Sequence, residues 1–191
     1  MGSGSSSIRR FVFRAETWGR EGQVDRKLRF IGESRHKVDS KGRVSIPHLF
    51  RRVLEAGDPD WVDGKNPQIH IVYGDGKRDF LECFTLRAMD KIHAKIERMP
   101  RADKRRLALQ RLYVTHAFPT SVDETGRLVL PAKLRDKIGL AGEAFFAGTG
   151  EAFEIWKPET YEAVIAEELT ADDAFDPDVD ASMYLSGDEE D

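Results

Sequence analysis

A twelve-residue pattern occurs twice in this chain of 191 residues. The first copy, His36–Pro47 (HKVDSKGRVSIP), aligns without gaps with the second, Thr120–Pro131 (TSVDETGRLVLP). Five positions are identical in the two copies: Val38 and Val122, Asp39 and Asp123, Gly42 and Gly126, Arg43 and Arg127, and Pro47 and Pro131. Because similarity at one constant offset indicates a repeated structural unit, we predict one supersecondary element built twice.

Each copy predicts a strand, a tight turn, a second strand and a short helix. In Asp39-Ser-Lys-Gly-Arg43 the glycine can adopt the positive φ of a turn, and the aspartate can accept hydrogen bonds from backbone N–H groups. Apolar and polar residues alternate from Val44 to Ile46, as in a half-buried strand. Proline fits the first turn of a helix, so we expect helices over 47–54 and 131–138.

Further strands and helices complete each half. Apolar runs joined by glycine-rich turns predict strands over 68–73, 79–84, 143–147 and 152–156. Apolar residues at helical spacing predict helices over 85–98, 101–117 and 158–169. Neither half is large enough to bury its own hydrophobic face. We therefore expect the halves to interlock into an α+β fold with a pseudo-two-fold, β-barrel-like core and peripheral helices.

Charge is distributed unevenly along the sequence. Residues 1–120 carry 25 Lys and Arg against 15 Asp and Glu, whereas residues 121–191 carry 5 against 19. The net charge of −4 therefore averages a basic body, typical of nucleic-acid binders, and an acidic end. The predicted division is a basic flexible extension over 1–34, a first module over 35–87, connecting helices over 88–118, a second module over 119–166 and a disordered acidic tail over 167–191.

Several classes of function are disfavoured by the sequence. No apolar run reaches the roughly 18 residues of a membrane helix, and no secretory signal is recognisable, so we expect a cytoplasmic protein with no membrane partner. The one cysteine, Cys83, and five histidines without ligand spacing predict neither a metal site nor a cofactor. No nucleophile–base set, phosphate-binding glycine loop or pair of carboxylates in a cleft indicates an enzyme.

The repeated stretches resemble those of the MraZ family of bacterial transcriptional regulators, over about residues 30–166. Each carries that family's Asp-x-x-x-Arg motif, within HKVDSKGRVSIP and GRLVLPAKLRDKIGL. The resemblance implies two tandem SpoVT/AbrB-like modules with swapped hairpins. It also implies a repressor of the cell-division and cell-wall gene cluster, located at the nucleoid, that forms a homo-oligomeric ring and binds short G-rich direct repeats in double-stranded promoter DNA.

Arginine has a planar fork that can hydrogen-bond both major-groove acceptors of guanine, which makes Arg43 and Arg127 the candidate base-reading residues. Asp39 and Asp123 are expected to orient these arginines or to fix the turns. Lys41, at the tip of the first turn, suits a phosphate.

Basic residues before the first turn complete the predicted DNA-binding set, which is Arg35, Lys37, Asp39, Lys41, Arg43, Asp123 and Arg127. The second turn has Glu124 and Thr125 where the first has Ser40 and Lys41. The first module is therefore expected to carry most of the affinity for DNA.

Two other interpretations stay open at this point. The Asp–Arg pairs of the two turns can be salt bridges that stabilise the turns without touching DNA. The chain can also be an antitoxin-like protein that binds a toxin partner, since AbrB-type hairpins occur in antitoxins as well. The duplication argues against that alternative, because such antitoxins usually carry one hairpin and dimerise.

Overall fold

The computed structural model describes residues 28–74 and 78–170. Its strands are β1 (Glu33–Lys37), β2 (Arg43–Ser45), β3 (Gln68–Val72), β4 (Phe80–Phe84), β5 (Ala117–Ser121), β6 (Arg127–Val129), β7 (Glu143–Gly148) and β8 (Ala152–Trp156). Its α-helices are α1 (His48–Gly57), α2 (Leu86–Arg98), α3 (Lys104–Gln110), α4 (Ala132–Lys137) and α5 (Pro158–Thr170), and a π-helical turn (Arg111–Thr115) follows α3. No helix in the described ranges is long and apolar enough to cross a membrane.

Six strands form one antiparallel sheet in the order β1-β7-β8-β4-β3-β5, and β2 pairs with β6 in a separate two-stranded ribbon. The predicted α+β class is therefore confirmed. The expected barrel-like core is not confirmed, because β1 and β5 lie at opposite edges of the large sheet and leave it open over the described residues.

The first strand of each copy pairs with a strand of the other copy. Strand β1 pairs with β7, and β5 pairs with β3. At the centre of the sheet β4 pairs with β8, with Glu82 opposite Glu154. The sheet is therefore pseudo-symmetric about its centre: β1, β7 and β8 on one side correspond to β5, β3 and β4 on the other. Each half supplies an edge that the other half completes, as expected for units too small to bury their own surface.

The large sheet buries both of its faces, with neighbouring residues of each strand contributing to opposite sides. On one face, Phe153 and Ile155 join the main core with Val44 and Leu128 of the ribbon. On the other face, Ala152 packs beneath α2 and the π-helical turn. Trp156 packs with Tyr161 and Val164 of α5 on the same face. The sheet thus separates a ribbon side from a helix side.

Three phenylalanines from distant parts of the chain meet in the main core. The ring of Phe30 lies 5.3 Å from that of Phe50 and 5.0 Å from that of Phe153, measured between centroids. Phe30 is buried although it lies in the predicted basic extension, whose described part also includes the start of β1. The rest of that extension, 1–27, lies outside the described residues, as does 171–191 of the predicted acidic tail. Cys83 is fully buried, as predicted, and this burial raises the pKa of its thiol well above the usual range.

Each repeated turn is held by a hydrogen bond to the other copy. The amide of Leu130 donates to the carbonyl of Gly42 at 2.8 Å, and the amide of Ile46 donates to the carbonyl of Gly126 at 2.9 Å. Both glycines have positive φ, 78° and 77°. The two turns are therefore reciprocal, and the glycine that shapes each turn also anchors it to the other half.

Gly42→Ala and Gly126→Ala should lower the free energy of unfolding by different amounts, although the φ angles of the two glycines are nearly equal. A left-handed conformation disfavours any L side chain by roughly 1–2 kcal/mol, and we expect about this loss of unfolding free energy for Gly126→Ala. At Gly126 the added Cβ meets the guanidinium of Arg51, which can move, whereas at Gly42 it meets the backbone carbonyl of Leu130, which cannot. Gly42→Ala should therefore lose more. Urea denaturation of both variants measures the difference, and an equal or smaller loss at Gly42 contradicts this packing.

Candidate nucleic-acid interface

The Asp39 carboxylate organises the first repeated turn. Its Oδ1 accepts hydrogen bonds from the amides of Lys41 at 2.9 Å and Arg43 at 3.0 Å. The backbone closes the turn as well, since the amide of Gly42 donates to the Asp39 carbonyl at 2.9 Å. The bond from the Arg43 amide is the largest of the contacts that hold the pKa of Asp39 below its usual value. The carboxylate is therefore charged at neutral pH, and it fixes the backbone on which Arg43 and Lys41 stand.

The same carboxylate also positions the Arg43 side chain. Arg43 Nε donates to Asp39 Oδ2 at 2.6 Å, and 41% of the arginine side chain is exposed. An arginine carries five N–H donors, of which Nε supplies one. Among the described residues no acceptor engages the two terminal nitrogens of Arg43, so these are held on the surface with donors free.

The second turn has the same backbone but a different side-chain arrangement. Asp123 Oδ1 accepts the hydroxyl of Thr125 at 2.7 Å and the amide of Arg127 at 2.8 Å. The Thr125 hydroxyl is the main cause that lowers the pKa of Asp123. Within the described part of the chain, the exposed Arg127 guanidinium forms no ion pair. The sequence predicted equivalent turns, and the structure shows that the arginine is oriented by the aspartate in the first turn alone.

The ribbon of β2 and β6 brings the two arginines onto one surface. Opposite pairs along it are Arg43 with Val129, Val44 with Leu128, and Ser45 with Arg127. Val44 and Leu128 are buried in the main core. Since side chains alternate along a strand, the other four face outward. Arg43 and Arg127 are diagonal neighbours there, a relation that places two residues about 7–8 Å apart.

The remaining two predicted residues lie on β1, away from the outward face of the ribbon. Arg35 forms an ion pair with Glu162 of α5, and its guanidinium lies 5.8 Å from the centre of the Phe145 ring. These contacts place Arg35 on the helix side of the sheet. Lys37 is exposed and stands opposite Glu143 in the pairing with β7. The ribbon therefore carries Arg43 and Arg127 on one face, with the turn of Asp39 and Lys41 at one end and the turn of Asp123 at the other, while Arg35 and Lys37 lie apart on β1.

Two arginines that sequence reasoning did not place in the site support the turns from below. Arg135 of α4 donates from Nε to the Leu130 carbonyl at 3.0 Å, next to Gly42. Arg51 of α1 lies against Gly126, and its buried Nε finds no acceptor among the described residues. Arg51 and Arg135 occupy equivalent positions in the two copies of the repeat. Their recurrence is the feature of the sequence from which their role could have been predicted.

The arrangement can bind anions and hydrogen-bond acceptors. The outward face carries two guanidinium groups and the half-exposed side chain of Val129, and Lys41 is exposed in the turn that precedes Arg43. Across the described residues, no group of three or more His, Cys, Asp or Glu is close enough to hold a metal ion.

Comparison with known proteins agrees with the repeated motif. Residues 113–181 match the family model described as "MraZ protein, putative antitoxin-like". A protein of Ruegeria pomeroyi named "Transcriptional regulator MraZ" is 59% identical over 162 residues, which cover 83% of this chain and 96% of that protein. Proteins of the same name are 46% identical in Cereibacter sphaeroides, over 73% of this chain and 86% of the relative, and 30% identical in Coxiella burnetii, over 78% and 96%.

The match with the Ruegeria pomeroyi protein spans 83% of the chain, which is long enough to include both repeated turns. With the two Asp-x-x-x-Arg turns in place on one ribbon, the resemblance predicted from the sequence is confirmed: the chain belongs to the MraZ family.

Proposed function

We propose that this protein is a sequence-specific DNA-binding transcriptional regulator that reads double-stranded DNA with the outward face of the β2–β6 ribbon. The observation that carries the proposal is the position of Arg43 and Arg127, one from each copy, on one exposed face of a two-stranded ribbon. Relatives named as transcriptional regulators support the same assignment. The assignment of two SpoVT/AbrB-like modules with exchanged hairpins belongs to this proposal, supported by the pairing of β1 with β7 and of β5 with β3.

The ribbon has the size and the chemistry of a major-groove reader. The major groove of B-DNA is about 12 Å wide and admits a two-stranded β-ribbon. The free terminal nitrogens of Arg43 can donate to O6 and N7 of one guanine, and those of Arg127 to another guanine nearby. Val129 between them offers an apolar surface to a thymine methyl group. Lys41 at the turn tip is positioned for a backbone phosphate.

The two turns contribute unequally in this proposal. Asp39 holds Arg43 in a fixed orientation, so little side-chain entropy is lost when that fork meets a base. Arg127 has no such partner among the described residues and must be ordered on binding. The first turn also has Lys41 at its tip where the second has Thr125. We therefore assign most of the affinity to the first turn. Asp39 and Asp123 position the turns, Arg35 pairs with Glu162 of α5, and Lys37, on the same face of β1 as Arg35, adds positive charge away from the ribbon face.

The target and the assembly extend the same proposal. Guanine-reading arginines suit short G-rich sites, and direct repeats of such sites in a promoter would engage successive subunits of a homo-oligomeric ring. Occupation of a promoter by such a ring excludes polymerase, which makes repression of the cell-division and cell-wall gene cluster, at the nucleoid, the expected effect. A toxin-binding role is the second candidate, favoured by the antitoxin-like description of the matched family model. A basic protein that copurifies in stoichiometric amount would support it.

Arg43→Ala should reduce binding to promoter DNA by about 10-fold or more, because a bidentate arginine–guanine contact contributes roughly 1–3 kcal/mol of discrimination. Arg127→Ala should reduce binding less. Arg43→Lys keeps the charge and loses the fork, so it should retain affinity for unrelated DNA and lose preference for the promoter. Fluorescence anisotropy with DNA from upstream of the protein's own gene and with scrambled DNA measures all three.

The matched control is Arg101→Ala, which removes an exposed arginine between α2 and α3. It should leave promoter binding unchanged, and circular dichroism should show all four variants folded. If Arg43→Ala and the unaltered protein bind promoter DNA with equal affinity, Arg43 only stabilises the turn, and the ribbon does not recognise the DNA sequence.

Lys41→Gln should weaken binding to promoter and scrambled DNA by the same factor, since a phosphate contact carries no sequence information. The slope of the logarithm of the binding constant against the logarithm of salt concentration should become shallower by about 0.9, the value for one phosphate contact on B-DNA. Lys65→Gln, an exposed lysine in the loop after α1, serves as the control and should leave the slope unchanged. An unchanged slope for Lys41→Gln removes Lys41 from the interface.

Ring formation predicts a solution mass several times the 21.7 kDa of one chain. Light scattering coupled to size-exclusion chromatography measures this mass directly, at several protein concentrations and in the absence of DNA. A stable monomer at micromolar concentration would contradict the ring and would leave DNA binding by the ribbon to be judged by the arginine variants.

A further inference from the structure

Helix α2 carries a row of cations that the proposed DNA contact does not use. Arg87, Lys91, Lys95 and Arg98 are spaced four, four and three residues apart, which places them on one face of the helix. All four are exposed. We call these four residues the α2 stripe. The opposite face of the helix, with Met89 and Ile96, is buried.

The α2 stripe forms no ion pair within the described part of the chain, although the exposed Asp90 lies three residues after Arg87. Like charges three or four residues apart on a helix repel one another, and the first turn of α2 contains no acidic residue to balance Arg87. An anionic occupant would relieve this repulsion along the whole helix.

The stripe belongs to a helix that packs on the opposite side of the large sheet from the ribbon. Met89 packs α2 against Val72, Phe84 and Ala152 on the helix side of the large sheet. The ribbon packs on the other side of the same sheet. The buried face of α2 therefore lies across the sheet from the ribbon, and a second polyanion can neutralise the stripe while Arg43 contacts DNA.

The chain itself supplies one. Residues 171–191 contain nine Asp and Glu and no Lys or Arg. This segment continues from α5, which packs on the same side of the sheet as α2. Twenty-one residues can span up to roughly 70 Å, so reach is not limiting. Attachment at the end of α5 also raises its effective concentration at the stripe above that of a free polyanion.

A surface cavity at the beginning of the stripe fits the same occupant. It has a volume of about 310 Å³, and its lining has three cations, Arg29, Arg87 and Lys91, one carboxylate, Glu151, and apolar side chains such as Val53. The acidic segment has apolar residues between its carboxylates, among them Phe175 and Tyr184. The cavity thus combines cations with apolar surface, and the acidic segment combines carboxylates with apolar side chains. The two are therefore chemically complementary.

We propose that the acidic C-terminal segment, residues 171–191, docks on the α2 stripe of its own chain. Docking neutralises the helix side of the molecule and leaves the ribbon as the exposed basic surface. Unrelated polyanions are then kept off the stripe, while the ribbon stays accessible to its target.

Zero-length carbodiimide crosslinking of the full-length protein, without DNA and at low salt, tests this contact. The reagent joins a lysine amine to a carboxylate only when the two touch, and mass spectrometry of the monomer band on a denaturing gel reports contacts within one chain. Crosslinks from Lys91 and Lys95 to residues 171–191 should exceed those from Lys41 and Lys65, which are exposed elsewhere. High salt should abolish the excess.

Variants decide whether the whole stripe attracts the segment. Arg87→Gln with Arg98→Gln leaves both reporter lysines in place and should reduce their crosslinks to the level of Lys41 and Lys65. Arg43→Gln with Arg127→Gln removes the same charge from the ribbon face and should leave the crosslinks unchanged. Absence of crosslinks to Lys91 and Lys95, equal crosslinks at Lys41, crosslinks found only between chains, or an unchanged yield in the stripe variant would each overturn the proposal. None of these results depends on DNA binding.

Discussion

The structure depends on two hydrogen bonds that join the halves of the chain: the amide of Leu130 to the carbonyl of Gly42, and the amide of Ile46 to the carbonyl of Gly126. In each, the glycine of one turn accepts a bond from the strand end of the other copy. A glycine is required because φ is positive and because the other copy's atoms occupy the space of a Cβ. These bonds set the register of the ribbon, and the ribbon register places Arg43 and Arg127 on the same face. The hydrogen bonds that join the two halves therefore also place the two arginines of the candidate site.

Much of the local structure follows from the sequence, because it is encoded locally. Turn aspartates, turn glycines and alternating apolar residues are short-range signals, and the strand predicted over 152–156 has the observed bounds of β8. The strand order is not encoded in this way. Strands of both copies have similar apolar patterns, so pattern alone does not decide whether β1 pairs with β7 or with β3. That choice depends on long-range packing such as that of Phe30, an isolated apolar residue in a basic stretch that is buried against Phe50 and Phe153.

The candidate site was predictable where the repeat defines it and not where tertiary contacts do. Asp39, Arg43 and their counterparts follow from recurrence of the motif. Arg35 was included for its charge, but its role is fixed by Glu162, which is 127 positions away in the sequence. Arg51 and Arg135 were visible as recurring residues, yet only the structure shows each of them beneath the turn of the other copy. Identical backbones also conceal a difference, since Asp39 binds its arginine side chain whereas Asp123 binds Thr125.

The large sheet separates the ribbon from helix α2. A packed layer separates the ribbon from the sheet by about 10 Å, and a helix on the other side adds about 10 Å more. The Debye length at physiological ionic strength is about 8 Å, so charge on α2 is largely screened from a phosphate at the ribbon. An acidic segment held on the helix side therefore lowers the attraction of the body for polyanions in general without opposing a duplex at Arg43. The same segment on the ribbon would compete with DNA directly. Whether an acidic end inhibits such a protein or sharpens its selectivity is thus decided by the face of the sheet on which the charge is held.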